Sequence, residues 1–256
     1  MASPTAQLCD LTVDIATRSG RNAPVVRVLD SVSLDVQAGR VTALIGESGC
    51  GKSMVAAALC GLLPPAAQVA GRILVRGEDL VAAGERGWRP LRGHHIGVVP
   101  QSAATSFTPV RTIGSQLAEV CQRLDADRAP AQLCAAVRLP ADVVHRYPHE
   151  LSGGMAQRAA IAAALAGRPA LLIADEPTSA LDPANAAVVW QLLAEAASDG
   201  AAVLVITHDL PSLLRAAVCD DIALMSAGSI LRRAATTDML ADPDAYVRRF
   251  FGAVTS

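Results

Sequence analysis

Lys52 is the single lysine among the 22 basic residues of this 256-residue chain. It lies in GESGCGKS, residues 46–53, where Gly46, Gly51, Lys52 and Ser53 fill the pattern G-x-x-x-x-G-K-S. Gly46, Gly49 and Gly51 let the backbone curl, so that the N–H groups of the loop, including those of Glu47, Ser48 and Cys50, face one point and cradle an anion. Lys52 adds a compact, mobile ammonium suited to β- and γ-phosphates, and the Ser53 hydroxyl is a hard oxygen ligand for Mg²⁺. Arginine, planar and forked, is a poor substitute for that point charge, which accounts for a lone lysine in an arginine-rich chain.

Two further stretches bear on phosphate chemistry. ALLIADEP, residues 170–177, is an apolar run ending in two acids. At the carboxyl end of a buried strand, Asp175 is placed to hold Mg²⁺ and Glu176 to polarise an attacking water. LSGGMAQR, residues 151–158, sets Ser152, Gly153 and Gly154 ahead of an alanine-rich helical stretch. Ser152 there would cap the helix and, with the glycine N–H groups, meet an anion.

These groups need elements to hold them. VTALIG (41–46) has strand length and KSMVAAALCGLL (52–63) reads as a helix, so the glycines occupy a strand-to-helix turn. The alternation of apolar strands and alanine-rich helices after residue 160 is that of a parallel α/β core. The chain is long enough to bury such a core. A net charge of −2 disfavours a nucleic-acid-binding face. No run approaches the roughly 20 unbroken apolar residues of a spanning helix, and no basic start followed by an apolar block marks a secretory signal. A cytosolic chain, soluble or peripheral to a membrane, is expected. The six cysteines show no C-x-x-C pairing, which favours reduced, packed thiols over disulfides or zinc.

With the phosphate loop, LSGGMAQR and ALLIADEP in this order, the chain resembles the ATP-binding subunits of ABC transporters over roughly residues 8–240. The resemblance implies an α/β, P-loop NTPase cassette: a RecA-like parallel-sheet core with an antiparallel β-subdomain (about 1–101 and 156–233), an inserted helical subdomain (about 102–155) and a short tail (234–256). It implies ATP and Mg²⁺ as cofactors, with Gln101 on the metal and relaying nucleotide state, Asp182 in SALD crossing a dimer interface, and His208 contacting the γ-phosphate. RYPHELSGGMAQR, FTPVRTIGSQLAEV and DEPTSALDP look most like the cassettes of dipeptide, oligopeptide and nickel importers.

The implied partners are two transmembrane permeases, a second ATP-binding chain whose site Ser152 would complete, and indirectly an extracytoplasmic binding protein, with no nucleic acid. The implied place is the cytoplasmic face of the membrane. The family's adenine-stacking ring has no counterpart, since no Phe, Tyr or Trp precedes Trp88; Arg18, Val26 or Arg27 stand in its place. Two alternatives are a soluble ABC-type ATPase of DNA repair or translation and a weakly active regulatory cassette. The first is disfavoured by the lack of a coiled-coil insertion or second cassette, the second by intact Lys52, Asp175, Glu176 and His208.

Overall fold

The computed structural model describes residues 3–16 and 24–255, so the Arg18 candidate lies outside the described residues. In chain order, β1 (Ala6–Ala16) and β2 (Val25–Val36) form an antiparallel pair, and β3 (Val41–Gly46) leads through the glycine loop into α1 (Lys52–Leu59). Next come β4 (Ala67–Val75), β5 (Glu78–Asp79), α2 (Gly84–Trp88) and β6 (Ile96–Val99). A helical stretch follows: α3 (Ala103–Ser106), α4 (Ile113–Arg123), α5 (Pro130–Ala136), two short 3-10 turns and α6 (Gly153–Ala164). The chain then alternates through β7 (Leu171–Asp175), α7 (Pro183–Ser198), β8 (Ala202–Ile206), α8 (Leu210–Ala216) and β9 (Asp221–Ser226). It closes with β10 (Ser229–Ala235), α9 (Thr236–Leu240) and α10 (Ala245–Thr255).

Among the described residues the strands make two sheets, one ordered β2-β1-β4-β5 and one ordered β10-β9-β3-β8-β7-β6. The first is antiparallel. In the second, β3 lies parallel between β8 and β9, while β10 adds an antiparallel edge. The chain leaves β3 for a long excursion before returning on both sides of it. Such a point opens a crevice beyond the strand carboxyl ends, and the glycine loop sits there.

β3 and β8 are buried at every position, as strands covered on both faces must be. On one face Leu44, Leu204 and Ile173 pack with Val55 and Leu59 of α1 and with Leu11, Val13, Leu29 and Val32 of the antiparallel sheet. On the other, Val203, Val205 and Leu172 meet Ala159 of α6, Val189 and Trp190 of α7, and Leu213 of α8. That second core continues into Ile113, Leu117 and Leu133, so the helical stretch is packed onto α6 without a break.

The structure departs from the sequence reading at one helix boundary. α1 ends at Leu59 and does not reach Leu63. Gly61 has φ +64°, and a Cβ there would lie 2.2 Å from the Trp88 ring, so the indole occupies the space the helix would need. The Arg92 guanidinium then accommodates the freed carbonyls, donating to Cys60 O at 2.8 Å and Gly61 O at 2.6 Å. The tail segment carries α9 and α10, with Met239, Val247 and Phe251 buried.

Candidate functional site

β3, β7 and β8 end side by side, with Leu44 and Asp175 both in register with Ile206. Their loops line a cleft of about 340 Å³ that includes Ser48, Gly49, Gly51, Lys52, Ser53, Gln101, Asp175 and Glu176. The glycine loop is bent as the spacing predicts: Gly46, Gly49 and Gly51 have φ of +152°, +81° and +108°. At Gly46 a Cβ would lie 2.2 Å from the Met225 carbonyl, so the turn tolerates only glycine beside β9.

Lys52 opens α1 and is 8% exposed. Its ammonium donates to Gly46 O and Glu47 O, both at 2.8 Å, and lies 3.9 Å from Cys50 Sγ. The charge is thus held by loop carbonyls at the cleft that Lys52 lines. Ser53, next along α1, lines the same cleft as Asp175. Burial, reinforced by the neighbouring Glu176 carboxylate, raises the Asp175 pKa above 3.8; the Ser53 hydroxyl and Lys52 partly offset this. A carboxylate so placed favours a nearby cation.

Glu176 leaves the strand with φ 47°, an uncommon conformation for a residue with a side chain. Its N–H donates to Ile206 O at 2.7 Å, fixing the turn against β8. Its side chain is 12% exposed, and Oε2 lies 2.8 Å from His208 Nδ1 and accepts from His208 N at 3.3 Å. The loop after β7 thus presents the Glu176 carboxylate at the cleft, and the loop after β8 holds the His208 imidazole against it, outside the cleft lining.

Ser152, Gly153 and Gly154 are elsewhere. Ser152 caps α6, its Oγ accepting from Met155 N at 3.3 Å, and none of the three lines the cleft. The glycines, expected just before the helix, form its first turn. Asp182 caps α7 by accepting from Asn185 N at 3.0 Å, and that backbone hydrogen bond chiefly lowers its pKa. A Cβ on Gly154 would come within 2.4 Å of Asn185 Oδ1, so Asn185 joins the starts of α6 and α7.

Sequence reasoning missed Asn185, whose role depends on that close approach, and Val28, Met54 and Ile206, apolar residues lining the cleft. Val28 lies one position beyond the Val26 and Arg27 candidates. Arg27 is instead engaged with Asp14 at 3.0 Å and Asp30 at 3.2 Å.

The family model described as "ABC transporter" matches residues 29–179, more than half of the chain. The chain belongs to the ABC transporter family. It is an ATPase cassette that powers transport. A probable peptide ABC transporter ATP-binding protein of Sinorhizobium fredii is 38% identical over 99% of this cassette and 78% of its own length. An oligopeptide transport ATP-binding protein of Mycobacterium bovis is 38% identical over 94% of this cassette, which spans only 40% of that relative. Among solved structures, a dimeric ATP-binding cassette in a post-hydrolysis state, bound to ADP and Pi, aligns with a TM-score of 0.75 at 26% identity, covering 90% of this chain and 98% of that one. The cassette binds nucleotide, as ATP-binding members of this family do.

Proposed function

We propose that this cassette pairs with a second ATP-binding chain on two membrane permeases, at the cytoplasmic face of the membrane, and drives uptake of peptides. One observation carries the pairing: Lys52, Ser53, Gln101, Asp175 and Glu176 share a cleft that Ser152, Gly153 and Gly154 do not reach. Each chain then holds one half of two composite sites, and its signature serine completes the other chain's site. Asp182, at the start of α7 and tied through Asn185 to the signature helix, stands at the same interface.

In this reading the loop N–H groups from Glu47 to Ser53 hold the phosphates, and Lys52 exchanges a loop carbonyl for the γ-phosphate. The residues fit Mg²⁺: Ser53, Gln101 and Asp175 form a hard oxygen set, and Asp175 is buried beside a second carboxylate. Among the described residues no group of three His, Cys, Asp or Glu could hold a metal. When bound, Mg²⁺ neutralises charge on the β- and γ-phosphates. Glu176 orients the attacking water as general base, and His208 moves from Glu176 to the γ-phosphate, coupling nucleotide occupancy to release of the base. Gln101 links this cleft to the helical segment 102–155, which docks on the permease. The catalytic core comprises about 1–101 and 156–233.

The peptide cargo is supported by the two relatives, one a probable peptide and the other an oligopeptide transport ATP-binding protein, which also favour peptide over nickel. No described helix is long and apolar enough to cross a membrane, as suits a cassette attached through other chains.

The deciding experiment is Glu176→Gln. Hydrolysis falls by about 10²–10⁴-fold, while ATP binding survives and a closed two-cassette species accumulates with ATP, read by light scattering after size exclusion. Wild-type turnover in this variant would refute the assignment of the base.

A further inference from the structure

A second cleft, of about 680 Å³, has a strongly basic lining. Arg86, Arg89, Arg92, His94 and Arg123 line it together with Pro90 and Leu124, and no acidic residue does. In a chain of net charge −2, this local excess is out of proportion to the whole.

Its arginines differ in how far they are committed. Arg92 is held by Glu85 at 2.6 Å and by the Cys60 and Gly61 carbonyls at the end of α1. Arg123 pairs with Glu119 at 2.6 Å, and Glu119 also pairs with Arg111. Arg86 and Arg89 make no side-chain hydrogen bond or ion pair among the described residues; Arg89 acts only at a distance, lowering the Glu85 pKa beyond the larger effect of Arg92. Both are exposed, yet their backbone is fixed, because the intervening Trp88 is 6% exposed and seated on Gly61. Two free guanidinium groups, on and just after a short helix, line a cleft together with a third and match an anion carrying several oxygens.

We infer that this cleft binds a phosphate-bearing anion distinct from the nucleotide of the phosphate loop. Inorganic pyrophosphate is the minimal form of that chemistry, and a phospholipid headgroup is its other source. Arg92 touches both the cleft and the carboxyl end of α1, so the occupant sits against the helix whose first residues are Lys52 and Ser53.

The test uses the full chain carrying Lys52→Ala, which removes the competing phosphate-loop site. Titration calorimetry with pyrophosphate is expected to give one site, weakening as salt rises. Adding Arg86→Ala and Arg89→Ala weakens it at least tenfold. Both arginines are exposed, so these substitutions leave the fold intact, and an unchanged melting temperature checks this. Sedimentation with phosphatidylglycerol vesicles, compared with phosphatidylcholine vesicles, separates the sources. Vesicle binding that the two substitutions abolish assigns a lipid headgroup, and pyrophosphate binding alone assigns a free anion. No binding in either format, or binding unchanged by the substitutions, overturns the proposal. Because Lys52 is already disabled and no turnover is measured, the result is independent of the transport reading.

Discussion

At Asp175 the requirements of folding and of catalysis oppose each other. Its side chain is held at the end of β7 beside Glu176, and burial raises its pKa above 3.8. A carboxyl whose folded pKa is raised binds its proton more tightly folded than unfolded. Its contribution to stability is complete below the unfolded value and is lost as pH rises through the folded one. Asp175→Asn is therefore expected to raise the melting temperature of the nucleotide-free chain at neutral pH. The advantage over wild type shrinks as acid protonates Asp175, and ATP hydrolysis collapses. Melting curves across pH, with and without Mg-ATP, check both halves; a variant less stable than wild type at neutral pH would contradict the argument. That Asp175 would end a strand was legible because a continuous apolar run ending in two acids reads as a buried strand with its acids at the carboxyl end. The Glu176–His208 contact was not, since it depends on β7 and β8 being neighbours. Val28 was missed for a related reason: an aliphatic residue in an alternating strand carries no mark distinguishing a ligand-facing position from a packing one.

The phosphate-loop helix shows the limit of reading elements from local pattern. KSMVAAALCGLL has uninterrupted helical character apart from one glycine, yet α1 ends at Leu59. The stop comes from Trp88, far along the chain, whose ring fills the space beside Gly61, and from Arg92, which receives the terminal carbonyls. α2 thus serves as a clamp on α1. Trp88→Ala is expected to cost about 3–5 kcal/mol by removing a buried indole from that junction. Arg92→Ala costs about 1–3 kcal/mol by leaving the Cys60 and Gly61 carbonyls without their donor. Urea denaturation measures both. Because Arg92 and Trp88 support the same helix end, their combined cost should fall short of the sum. Strict additivity would mean that α2 and the Arg92 loop brace the helix independently. By contrast β3 and β7 were legible almost to the residue, because strands buried on both faces have no polar face to blur their limits.

At the scale of the whole molecule, the two halves of the proposed nucleotide site are kept apart by the chain's own fold. One is the loop at the start of α1, the other the start of α6, where Ser152 presents a capped helix end outside the Lys52 cleft. A site needing both must take them from different chains, so the two surfaces should fail in different experiments. Lys52→Ala is expected to abolish ATP binding by the isolated chain. Ser152→Arg should leave that binding within about twofold of wild type, since 1.4 kcal/mol is needed for even a tenfold change and Ser152 touches nothing in the cleft. In the assembled pair, Ser152→Arg places a bulky cation where the partner's γ-phosphate must be met, and hydrolysis at the partner's site is lost while ATP remains bound there. Single-turnover measurements on pairs with one chain altered at a time separate the sites. If Ser152→Arg weakened nucleotide binding in the lone chain, the signature would have to reach its own phosphate loop. The connection between α6 and the β3 crevice would then need a rearrangement larger than one continuous core from α4 to α8 readily permits.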